Sequence, residues 1–157
     1  MPQRIKTVLI VVCALGSAAC EEARLDPCQF LSVDDVRAVD VSVSTPVWAG
    51  RLEPRAEYEV CTFHNASGDA RVMLFVWYGN ETPPRDLVAE GSESNDSIRP
   101  ISETGLEGFA SFGNDSLQLL AARSSQRTVG VRVRAPIREG SREFARVVAL
   151  AEAAVRH

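Results

Sequence analysis

Lysine is almost absent from this chain: Lys6 is the only one, and every other basic side chain is an arginine, a bias that a GC-rich coding sequence accounts for. Histidine is nearly as scarce, with His64 and the last residue, His157, the only two. Without clustered histidine and cysteine there is no zinc-ligand pattern, and the many carboxylates match no calcium loop. Gly105, Gly108 and Gly113 do not have the spacing of a phosphate cradle, and Ser67 and Ser92 lack the Gly-x-Ser-x-Gly elbow. No metal, no cofactor and no catalytic residue is therefore expected. Basic surplus is missing too: 17 Lys and Arg stand against 21 Asp and Glu, a net charge of −4, which argues against a nucleic-acid partner. No internal repeat or heptad points to a solenoid or a coiled coil.

What is present at the N-terminus has the layout of an export signal. Arg4 and Lys6 precede an apolar stretch, Val8 to Leu15, and then Gly16-Ser17-Ala18-Ala19, all small. That stretch is too short to span about 30 Å of hydrocarbon. The small residues end at Cys20, which resembles a bacterial lipobox with Cys20 as the acylated first residue of the mature chain. An ordinary secretory signal cut near Ala19 is the alternative. Residues 1–19 are read as signal peptide, 20–27 as a tether and 28–157 as a single domain at the cell envelope, attached to the membrane through Cys20. Removing the signal leaves fifteen basic against twenty-one acidic residues, a net charge of −6. Cys13 leaves with the signal, so an exported chain keeps Cys28 and Cys61, expected to form a disulfide. The competing reading makes Cys28 a nucleophile served by His64.

Hydrophobic periodicity supplies the fold. "LSVDDVRAV" reads as a short helix capped by Ser32, with Asp34 and Asp35 in its first turn. Residues 40–55 read as irregular, with a brief extended piece at Val41 to Val43. "EYEVCTFH" and "ARVMLFVWYG" are strands, the second apolar on both faces and hence covered on both sides or central. "PPRDLVAEG" opens a helix of one or two turns ended by Gly91, and "GFASF", "SLQLLAARS" and "RTVGVRVRA" are hairpin-linked strands. "SREFARVVALAEAAVRH" is an amphipathic helix capped by Ser141. The order predicts an α+β domain: an antiparallel sheet of about five strands, with the short N-terminal helix and the long C-terminal helix packed on one face.

Candidate site residues are few. Trp77 and Tyr78, with Trp48, are core or else an apolar ligand surface. Gly130, Arg132 and Arg134 alternate with Val129, Val131 and Val133, predicting a wet face whose arginines, with Arg123 and Arg127 nearby, are the charges that water-facing strand positions need or else a basic stripe for an anionic partner or lipid headgroup. Glu57 and Glu59 share a strand side as a conceivable acid/base pair, with a solvated strand end as the plainer reading. The segments "DPCQFLSVDDV" and "CTF", then "GLEGFASF" and the closing alanine-rich helix, resemble the bacterial lipoproteins of the actinobacterial Asp-Pro-Cys type. That resemblance implies that Asp26-Pro27-Cys28 leads into the first helix, that Cys28 bridges to Cys61, and that the protein is an envelope binding, accessory or sensor module for a small ligand or an envelope protein. It departs from the commoner Gly-x-Gly-Asp form at Glu107 and Gly108, and it carries no catalytic residue. A secreted inhibitor or carrier is the second reading and a hydrolase the third.

Overall fold

The computed structural model describes residues 26–50, 58–78, 83–101 and 106–157. The signal, Cys20 and Glu57 lie outside the described residues. The chain starts with a 3₁₀ turn, Pro27–Gln29, in which the Asp26 carboxylate accepts from the Cys28 amide at 2.8 Å. Helix α1, Val33–Arg37, follows behind a capping box: the Ser32 hydroxyl accepts from the Asp35 amide while the Asp35 carboxylate accepts from the Ser32 amide. Hydrogen bonds from the Ser32 hydroxyl and amide hold the Asp35 carboxyl below its ordinary value.

Among the described residues seven antiparallel strands make one sheet: β1 (Val43–Gly50), β2 (Tyr58–Asn65), β3 (Ala70–Tyr78), β4 (Ser97–Pro100), β5 (Glu107–Gly113), β6 (Ser116–Arg123) and β7 (Arg127–Val133), in the order β1-β2-β3-β7-β6-β5-β4. Two meanders, β1 to β3 and β4 to β7, meet where β3 pairs with β7. The α+β class holds, and the count of about five is corrected to seven. Both additional strands are edges. β1 carries Pro46 and two register irregularities, and β4 has four residues ending in Pro100. Proline is tolerated at an edge because the missing N–H can face outward, and such residues erase the period-2 signal. β3 is interior, as its two apolar sets require.

The hairpins follow from turn chemistry. Asn65 Oδ1 accepts from the Ser67 and Asp69 amides, and Gly68 at φ +85° supplies the left-handed residue. Asn114 and Asp115, at φ 51° and 59°, close the two-residue β5–β6 turn.

The sheet separates two apolar clusters. On one side Cys61, Phe63, Val72, Leu74, Val76, Leu120, Val129 and Val131 pack with Phe30, Val36 and the inner side of helix α3 (Arg142–Arg156), which lies on β6 and β7. The Ser141 hydroxyl caps α3 by accepting from the Phe144 amide at 3.1 Å. On this side a disulfide joins Cys28 to the fully buried Cys61, Cα atoms 5.1 Å apart, fastening the N-terminal turn to β2. The Phe30 ring stacks on His157 at 5.6 Å and lies under the Arg127 guanidinium at 4.5 Å, so the chain enters the fold beside the C-terminal end of α3. The Asp40–Arg71 ion pair, 2.8 Å, ties the α1–β1 connection to β3. Burial pushes the Asp40 carboxyl up, but hydrogen bonds from the Ser42 hydroxyl and amide and from Arg71 outweigh it and leave the group below its ordinary value. On the other side a smaller cluster, Val60, Phe75, Val88, Leu119 and Ala121, is covered by helix α2 (Pro84–Glu90), which packs on β5 and β6.

Candidate functional site

Helix α2 is seven residues long and reaches only part of its sheet face. Beyond its edge Tyr58, Met73, Phe75 and Trp77 form the floor of a groove of about 320 Å³, walled by Leu87, Glu90 and Gly91 on the helix side. The strand pleat explains the lining. Odd-numbered residues of β3 point to this face, and the register sets Tyr58 opposite Trp77, Phe75 opposite Gly130 and Met73 opposite Arg132. Three rings follow one another: Tyr58–Trp77 at 5.1 Å, Tyr58–Phe75 at 5.8 Å and Phe75–Trp77 at 6.0 Å. Such offset arrangements are favourable for aromatic pairs.

Two glycines set the shape. The Trp77 indole lies over Gly130 so closely that a Cβ there would stand 3.0 Å from its Cζ3. At Gly91, the residue ending α2, a Cβ would meet the Leu119 side chain at 2.8 Å, so the helix end approaches β6 through a glycine. Arg132 completes the groove. Its Nη2 donates to the Gly91 carbonyl at 3.2 Å, where a cation complements the C-terminal end of α2, and its guanidinium sits 5.9 Å from the Phe75 ring centre. The arrangement suits a small, largely apolar molecule against the rings, with a polar edge directed to Arg132.

The four sequence-predicted surface residues are thus divided. Trp77 and Arg132 line the same groove, whereas Tyr78 packs toward the α3-side cluster, opposite Trp77. Arg134 is exposed beyond the groove, its amide donating to the Arg71 carbonyl at 2.8 Å. The expected wet face and basic stripe are corrected. Gly130 is buried under Trp77, Arg132 is half-buried, Arg127 lies on the other face over Phe30, and Arg123 is engaged by Glu107. Glu59 is 5% exposed, not at a solvated strand end. Sequence reading missed Tyr58, Met73, Phe75, Leu87 and Leu119 as site residues; the alternation of β3 with the register of the β2–β3 hairpin is the signal that groups the first three.

His64 belongs to a hairpin lock. Its Nδ1 donates to the Gly68 carbonyl at 2.8 Å, its Nε2 lies 2.7 Å from the Thr62 hydroxyl, and that hydroxyl donates to the Val47 carbonyl of β1 at 3.2 Å. The nucleophile reading of Cys28 falls, because its sulfur is bonded to Cys61. Among the described residues no group of three His, Cys, Asp or Glu is placed to hold a metal, and no helix is long and apolar enough to cross a membrane. No protein-family model, curated protein or solved structure matches the chain.

Proposed function

We propose that this chain is a lipid-anchored module of the bacterial cell envelope that binds a small, predominantly apolar molecule in the groove beside α2. The observation that carries the binding reading is the row Tyr58, Phe75 and Trp77 on a sheet face that α2 covers only in part, with one guanidinium, Arg132, at its border. Aromatic faces supply contact area at low entropic cost, and a single oriented donor supplies selectivity. Export is supported by the charged, apolar and small-residue order of residues 1–19 and by the disulfide, which persists in oxidising compartments. The anchor is supported by Cys20 at the end of the small residues and by the likeness to Asp-Pro-Cys lipoproteins.

Binding is tested with 1-anilinonaphthalene-8-sulfonate, an apolar ring system bearing one anion, in a Trp48→Phe background in which Trp77 is the only indole. Saturable quenching of Trp77 is expected, weakened about tenfold or more in Arg132→Met by loss of a charge-assisted contact. Absence of saturable quenching, or equal affinity in Arg132→Met, defeats the groove reading. A soluble carrier uses the same groove, so the anchor is tested separately. Cys20→Ala should move the protein from the membrane to the soluble fraction, and unchanged fractionation counts against acylation.

A further inference from the structure

Helix α3 buries Phe144, Val147, Val148, Ala151, Ala154 and Val155, and at 3.6 residues per turn the opposite ridge consists of Arg142, Arg146, Ala149, Ala153 and Arg156, all exposed. The acidic residues of the helix, Glu143 and Glu152, fall on the flanks of that ridge, Glu152 lying 3.9 Å from Arg156. Elsewhere the arginines are mostly engaged: Arg37 by Asp34, Arg71 by Asp40, Arg99 by Glu139, Arg123 by Glu107 and Arg132 by the Gly91 carbonyl. Arg142 and Arg146 have no ion pair among the described residues, in a chain whose net charge is −4. The ridge runs about 21 Å from Arg142 to Arg156 at 1.5 Å per residue. It has alanine methyl groups at its middle and, among the described residues of the ridge, no large apolar side chain of the kind that anchors a protein partner.

The second observation is where the chain enters. The Asp26–Gln29 turn is held by the Cys28–Cys61 bond, and Phe30 stacks on His157, so the described chain begins at the C-terminal end of this helix. Cys20 is six residues before Asp26, at most about 22 Å of extended chain. An acylated Cys20 therefore keeps α3 near the bilayer surface.

We infer that the outward ridge of α3 docks on anionic lipid headgroups and forms a second attachment to the membrane. The placement rests on the proposed acylation of Cys20; the headgroup contact itself is a property of the folded domain. One lipid signal with a basic patch is a recognised two-signal anchor, and each arginine near an anionic surface strengthens partitioning about fivefold. Phosphate headgroups also take the planar guanidinium fork well.

The test is co-sedimentation of the full chain carrying Cys20→Ala with vesicles of phosphatidylcholine, with and without phosphatidylglycerol, at low and high salt. Preference for the phosphatidylglycerol vesicles is expected, falling with salt and reduced about a hundredfold when Arg142, Arg146 and Arg156 are all changed to Gln. An Arg85→Gln/Arg134→Gln control, which removes exposed arginines off the ridge, should bind as before. Equal binding to both vesicle types overturns the inference and leaves an acidic protein as the occupant; equal binding by the triple variant overturns it as well. Incorporation of an azido-fatty acid at Cys20 in the wild-type chain is read separately. An acylated Cys20 combined with no headgroup preference sinks this inference alone, and a headgroup preference without acylation sinks only the anchor.

Discussion

Replacing Gly130 by alanine is expected to lift Trp77 out of the groove floor without unfolding the sheet. A methyl carbon there would stand 3.0 Å from Trp77 Cζ3, 3.2 Å from Cη2 and 3.5 Å from Leu119 Cδ1. Carbon atoms rest at about 3.5–4.0 Å, so the indole must rise by roughly half to one ångström. Trp77 is only half-buried, so the displacement carries its ring toward solvent. Overpacking costs about 1–3 kcal/mol, while alanine in an extended strand recovers about 0.4–1 kcal/mol through the unfolded chain. The net loss should be about 0–2.6 kcal/mol, a fall in Tm of no more than about 10 °C. In the Trp48→Phe background the assay is Trp77 emission and its quenching by acrylamide. A red shift and stronger quenching are expected, with a changed affinity for anilinonaphthalene sulfonate. Gly68→Ala is the contrast: at φ +85° with nothing within 4 Å of the added methyl, it should lower stability by about 1 kcal/mol and leave Trp77 emission alone. Unaltered emission and quenching in Gly130→Ala would refute the close packing of ring on glycine.

Three further outcomes follow from the frame. The Cys28→Ala/Cys61→Ala pair, which opens a bridge of sequence separation 33, should lose about 3–4 kcal/mol on the chain-entropy account and lower Tm by about 10–15 °C; a fall of a degree or two in a thermal melt would contradict that. Asp40→Asn should cost about 1–2 kcal/mol at neutral pH. Because the folded carboxyl lies below its ordinary value of about 3.9, its contribution is present above that value and lost as pH falls through the lower folded value, so denaturant titrations of the two proteins should converge in acid; a constant gap would argue against an ionic role. Ser141→Ala should cost about 1 kcal/mol in the same titration through loss of the cap on Phe144, and a neutral result would remove that bond as a contributor.

The helices were legible because their ends carry chemistry as well as period: Ser32 with Asp35, Pro84 with Gly91, and Ser141. Interior strands were legible through alternation and through the Asn65–Asp69 and Asn114–Asp115 turns. The two edge strands were not, because an edge tolerates Pro46 and Pro100 and needs no apolar outer side. The site was half legible. Trp77 and Arg132 stood out by type, but what unites them is the β3–β7 register and the seat of α2, and neither is local in sequence. The same absence of local information made Arg132 look solvated, when its partner is the Gly91 carbonyl 41 residues away.

Along β3 the parity of a residue's number decides what its replacement changes. Val72, Leu74 and Val76 serve the side fastened by the sulfur bridge, while Met73, Phe75 and Trp77 serve the groove. A change at an odd position therefore acts on the groove and the small cluster beneath α2, and a change at an even one on the larger core that the bridge and α3 share.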